Sequence, residues 1–267
     1  MAAQDPRLDS FREDKVIVDL RHCTFVRPAA VLWCVTYPLL VRSRGVACSV
    51  LVPDNVGVCV YLKSLGLFRT LQDAGVEVDD RGIRDKKDPQ LILPLTGFAT
   101  EYEVEQMANL AWHALSDSGL GSANLHPLVS ETFAELGLNA AEHAESPIGA
   151  YGFIQFYEFE EGKRFVCGVA DGGIGIRSSL ERNPEIRDRV PYDWVAIDLA
   201  VRERVSTTGN TTRGIGLYGV AEDMRVPHRQ LIIHSGQGSL YISEDIETES
   251  RRANLFPGTL TYASIPT

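Results

Sequence analysis

Three polar side chains stand at helical intervals in ELGLNAAEHA, residues 135–144: Glu135, Asn139 and Glu142. Positions four and three apart stack on one helix face. The fillers Leu136, Leu138, Ala140 and Ala141 are good helix formers, with Gly137 the exception. An Asn side-chain oxygen is a hard donor of the kind Mg²⁺ takes, beside water and phosphate. A Glu one turn earlier can polarise a water or accept a hydroxyl proton. The same column also occurs as the wetted face of an ordinary amphipathic helix, so the rest of the chain has to decide.

Two glycine-bearing segments further along carry compatible chemistry. The run RFVCGVAD leads into DGGIGI, residues 171–176. Asp171, at a strand end, can accept a hydrogen bond from an exocyclic amine, and Gly173 and Gly175 let the backbone approach a ligand closely. Residues 206–220 read STTGNTTRGIGLYGV. There Gly214, Gly216 and Leu217 open a helix, whose free N–H groups favour phosphate. Thr211, Thr212 and Arg213 stand just before it, and the forked guanidinium of Arg213 suits phosphate. No GxxxxGK[ST] phosphate loop competes with this arrangement.

The positioning elements follow from periodicity. The opening motif ends a helix from about Ser122 to Ala144. A helix over 100–117 precedes it, with Met107, Leu110, Ala111 and Leu115 on its apolar side, and the strand LILPLTGF precedes that. The strands YGFIQFYEF and RFVCGVAD form a hairpin. An irregular stretch of about forty residues then holds one helix around Trp194–Val201. Three strands close the chain: QLIIHS, SLYIS and GTLTYASI. The first third reads strand (KVIVDL), helix closed by Gly45, strand (VACSVLVP), then a helix ending near Gly66, the pattern of a small α/β unit. Residues 73–90, DAGVEVDDRGIRDKKDPQ, read as a charged linker or exposed loop.

The bulk numbers set outer bounds. The chain has 267 residues, 44% apolar and 23% charged, as in ordinary globular proteins. A net charge of −10 argues against direct nucleic-acid binding. Without an apolar run of bilayer length or a signal-peptide core in MAAQDPRLDSFREDK, no membrane partner is expected. Five cysteines without CxxC pairing read as reduced, buried thiols of a cytoplasmic protein.

In their order and spacing, the chemical segments resemble the Bergerat-fold, or GHKL, ATPase family of gyrase-type ATPases, Hsp90, histidine kinases, MutL and anti-sigma kinases. The likeness spans about 95–267 and rests on three boxes: E135-L-x-x-N139-A-x-E142-H143, D171-x-G173-x-G175 and G214-x-G216-L217. Gly258-Thr259 matches a late Gly-Thr that helps the family hold adenine. The resemblance implies ATP and Mg²⁺ as cofactors, with Asn139 on the metal, Glu135 as the catalytic carboxylate and Asp171 as the adenine reader. It places Gly173 and Gly175 beside base and ribose. Thr211, Thr212, Arg213, Gly214, Gly216 and Leu217 go toward the phosphates, and residues 177–213 form an ATP lid. His143 matches a residue that packs or hydrogen-bonds in that first box. His113 is followed by Ala114 rather than an acid, unlike the phosphoacceptor of histidine kinases.

The N-terminal third resembles the STAS domain of anti-anti-sigma factors, through VIVDLRHCTFVRPAAVLWCV, the Gly45-to-Pro53 strand and YLKSLGLF. Where regulatory STAS domains begin their first long helix with a phosphorylatable Ser or Thr, this chain has Arg27-Pro28-Ala29-Ala30. The expectation is therefore a two-domain chain of α/β and α+β class: a STAS-like α/β domain over 12–85 and a Bergerat-fold α/β sandwich over 92–267. Its expected function is ATP hydrolysis, or Ser/Thr phosphorylation of a separate protein partner, as in anti-sigma kinases. The alternative is a nucleotide-gated interaction module with little turnover. A homodimer is compatible with either.

Overall fold

The computed structural model of the protein describes residues 15–84, 86, 88–159, 162–203, 216–243 and 250–267. Its first part alternates strand and helix: β1 (Lys15–Asp19), α1 (Pro28–Ser43), β2 (Ala47–Leu51), α2 (Val56–Ser64), α3 (Leu67–Asp73) and β3 (Glu77–Val78). The three strands form a parallel sheet in the order β1-β2-β3. Pro28 opens α1, where its missing N–H costs no helical bond. Asn55 caps α2 by accepting the Val58 N–H at 3.1 Å. Gly66, at φ +90, turns the chain out of α2 and into α3, a helix beyond the expected end.

The expected linker over 73–90 is in part structural. Val76 and Val78 are buried, and β3 pairs with β2 through Ser49–Glu77 and Val50–Val78. Two valines among many charges are too few to read as a strand, yet the edge of β2 needs only two residues to pair.

The second part runs β4 (Leu91–Phe98), α4 (Glu101–Ser118), α5 (His126–His143), β5 (Ala150–Phe159), β6 (Gly162–Asp171), α6 (Gly175–Leu180), α7 (Asp193–Arg202), α8 (Gly216–Met224), β7 (Gln230–Ser243) and β8 (Arg251–Pro266). Its strands form an antiparallel sheet in the order β4-β5-β6-β8-β7. Thr100 and Glu103 make a reciprocal capping box at the start of α4. The buried stripe of α4 is Val104, Met107, Ala111 and Leu115. Leu110, expected there, is 62% exposed, because it lies almost a full residue step round the helix from the stripe.

Two corrections concern the C-terminal half. QLIIHS and SLYIS are not separate strands. They run together as β7, with register shifts around Gly236, so two strands rather than three close the chain. A bulge lets one strand pass an irregularity that the sequence shows as a break. The stretch after Asp171 is also less irregular than expected. Besides α7 it contains α6, and Leu180, Ile186, Val190, Ala196 and Leu199 form a small core of their own.

The five-stranded sheet is covered on both faces. On one, Val129, Phe133 and Leu136 of α5 and Val104 and Ala111 of α4 pack with Ile154, Phe165, Cys167 and Ile233. On the other, Leu32, Val35 and Leu39 of α1 share a core with Phe153, Val166, Ala170 and Leu260. The last seven residues of β6 are buried in an unbroken run, as a strand covered on both sides must be. No helix among the described residues is long and apolar enough to cross a membrane.

Candidate functional site

Helix α5 turns Val129, Phe133 and Leu136 toward the sheet and passes under α4 at Gly137. A Cβ on Gly137 would lie 2.8 Å from Val104 Cγ1, so the exception among the helix formers is a packing requirement. This orientation leaves Glu135 and Asn139 half-buried beside that face, with Glu142 exposed. The Asn139 Nδ2 donates to the Glu135 backbone oxygen at 2.7 Å. That bond fixes the amide, since a carbonyl accepts only from the nitrogen side. The Asn139 Oδ1 lies toward the start of α8, 3.6 Å from where a Cβ of Gly216 would be.

The Glu135 carboxylate accepts the N–H of Gly216. Burial raises its pKa above the ordinary carboxylate value. The charge of Glu142 adds to this, and the Gly216 hydrogen bond offsets part of it.

Asp171 ends β6 with 4% of its surface exposed. Its Oδ1 accepts the N–H of Gly173 at 2.8 Å and that of Thr259 at 3.2 Å. Burial pushes its pKa up to about 7, against the lowering effect of those two N–H groups. No donor among the described residues is directed to Oδ2. One carboxylate oxygen thus holds the loop in shape while the other remains for a ligand donor.

Close backbone contacts hold this carboxylate in place. The Ile174 N–H donates to the Ala144 oxygen at 2.8 Å, tying the loop after Asp171 to the end of α5. A Cβ on Gly173 would fall 1.9 Å from that same oxygen, so only glycine fits. Gly258, at φ +106, would place a Cβ 2.2 Å from the Asp171 backbone oxygen and 2.8 Å from its Oδ1.

Ser235 was not singled out from the sequence, yet it joins three parts of the site. Its Oγ accepts the Ile176 N–H at 2.9 Å, donates to the Gly258 oxygen at 3.3 Å and lies 3.0 Å from the Thr259 Oγ1. The available signal was its register. Leu231, Ile233 and Ser235 share the inward face of β7, and a hydroxyl at a buried strand position needs polar partners.

The structure therefore brings together Glu135, Asn139 and Gly216 at one end, and Asp171, Gly173, Gly175 and Thr259 at the other. The Ala144–Ile174 bond joins the two ends. Leu217 is partly buried and packs against the core that α5 shares with the sheet. Thr211, Thr212, Arg213 and Gly214 lie outside the described residues, as does the end of the expected lid. His113 is exposed on α4 and His143 lies 3.7 Å from Glu142. Among the described residues no three His, Cys, Asp or Glu side chains gather as a metal cage. A cation beside Asn139 would be held by its Oδ1 together with oxygens of a ligand and water. Comparison with protein-family models, with curated proteins and with solved structures found no match.

Proposed function

We propose that the chain is an ATP- and Mg²⁺-binding regulatory protein. In this reading its C-terminal unit is a GHKL-type ATPase domain and its N-terminal unit is STAS-like. The observation that carries the reading is the convergence of four distant segments: the end of α5, the loop after Asp171, Gly258-Thr259 and the start of α8. The Asp171 Oδ2 accepts from the adenine amine. The Asn139 Oδ1 supplies a hard oxygen to the cation that accompanies the phosphates and offsets their charge. The N–H groups at the start of α8 face the phosphates. A water or a partner's hydroxyl attacks the terminal phosphorus and gives its proton to Glu135. The new O–P bond forms as the bridging P–O bond breaks, and ADP leaves. The partner is a separate protein, since the first turn of α1 offers Ala29 and Ala30 where a STAS acceptor hydroxyl would stand.

One observation favours the second reading, a nucleotide-gated interaction module with slow turnover. The Glu135 carboxylate is engaged as the acceptor for Gly216 N–H. It becomes free as a base only when a phosphate takes over that N–H, and α8 shifts or holds accordingly.

Calorimetric titration tests the proposal. The parent should bind ATP with Mg²⁺ and prefer it to GTP. Asn139→Ala should weaken binding at least roughly tenfold, the lower end of the cost of disturbing even an outer partner of a metal site. In chelator, parent and variant should bind ATP alike. Parental affinity of the variant in Mg²⁺ would remove Asn139 from the cation.

A further inference from the structure

Helix α1 is seated along β6 in a groove made by missing side chains. A Cβ on Gly168 would lie 2.8 Å from Leu32 Cδ1, and one on Gly172 would lie 2.5 Å from Leu40 Cδ2. Both leucines are buried, at 0% and 2% exposure. Eight helical residues advance about 12 Å and four strand residues about 13 Å, so the two spacings match. Helix and strand therefore run alongside each other, with a leucine over each glycine.

The second contact lies at the site. Gly172 stands between Asp171 and Gly173. Leu40 bears on Gly172 from the N-terminal unit, and the Ala144 oxygen bears on Gly173 from α5. The Gly172 N–H is itself held by the Ser146 Oγ at 3.1 Å. The loop carrying Asp171 is thus held between two elements, one of which belongs to the other unit of the chain.

We propose that Leu40 is a positioning residue for the nucleotide site, through which the N-terminal unit sets ATP affinity. The inference rests on reading Asp171 as the adenine acceptor. It adds that a partner drawing α1 away from β6 weakens nucleotide binding, and that bound nucleotide tightens α1 on the sheet by the same factor.

Leu32 supplies the comparison. It is equally buried on the same helix, but its contact lies four residues up the strand from Gly172. Leu40→Ala should weaken ATP binding roughly three- to thirtyfold, the range in which residues touching no ligand alter coupling. Leu32→Ala should lose comparable thermal stability and keep parental affinity. Leu40→Val serves if the alanine variant does not fold. Native-state amide exchange gives a second reading without nucleotide: the Gly172, Gly173 and Ile174 amides should exchange faster in the Leu40 variant than in the Leu32 variant. Equal affinity in both variants, or equal exchange at those amides, overturns the proposal. If the parent binds no ATP at all, the nucleotide reading fails, and the exchange comparison still decides whether Leu40 positions the loop.

Discussion

Glu135→Ala should slow ADP release or phosphoryl transfer by roughly 10²–10⁴-fold, the usual cost of losing a general base, while ATP affinity should stay near the parental value. Glu135 lies one turn before Asn139 on the same face, so in the proposed reading a phosphate held beside Asn139 would bring the attacking hydroxyl within its reach. Its raised pKa, caused by burial and then by the charge of Glu142, makes it a better proton acceptor than an exposed carboxylate. Glu135→Gln refines the test, because its amide oxygen can still accept the Gly216 N–H. If Gln and Ala lose rate equally, the loss belongs to the base and not to the start of α8. Because the base must be ionised, the rate rises with pH through the Glu135 titration. Glu142→Gln removes a neighbouring negative charge, eases that ionisation and moves the profile to lower pH. Steady-state ADP release across pH reads all three variants. A parental rate in Glu135→Ala would return this residue to an ordinary helix face.

Asp171→Asn should exchange function for stability. The Asn oxygen can accept both loop N–H groups, but its nitrogen then occupies the place of Oδ2 and meets the adenine amine as a second donor. Above about pH 7, where the Asp171 carboxyl is ionised, losing a hydrogen bond to a charged group costs about 1.5–3 kcal/mol, or roughly 10- to 150-fold in Kd. The stability effect has the opposite sign. The folded chain keeps the Asp171 proton up to about pH 7, while the unfolded chain releases it near 3.8. Between these values the folded state binds more protons, so the parent loses stability as pH rises through that window and levels off above it. The asparagine variant has no such loss. Its melting temperature should exceed the parent's at pH 8, by a margin on the order of a few kcal/mol in stability, and the margin should close near pH 4. A pH-independent difference between the two melting curves would show that Asp171 does not carry a raised pKa.

Local pattern was enough for the elements that depend on few distant contacts. The helix over α5, the column of Glu135 and Asn139, the hairpin of β5 and β6 and the helix at Trp194 all follow from periodicity and turn chemistry within one segment. What failed was decided by neighbours far away in the chain. Val76 and Val78 became β3 because β2 offered an edge, and two short runs became β7 because β8 pairs across the bulge at Gly236. Leu110 proved exposed because the stripe that packs inward runs through Val104, Met107, Ala111 and Leu115, and the count of apolar residues does not say which side of α4 that is.

The candidate site divides in the same way. Which side chains could do chemistry was legible from residue type alone, because residue type fixes donors, acceptors and charge. Local periodicity likewise places Asp171 at a strand end and Asn139 one turn after Glu135. Packing between distant segments settles the rest: Asp171 is buried with one oxygen committed to Gly173 and Thr259, Ser235 joins β7 to that loop, and Leu40 of the first unit bears on Gly172. Spacing along a chain specifies contacts within a turn of helix or a pair of strand residues. Burial, pKa and close backbone approach depend on what packs from other elements, and those partners lie outside any local window.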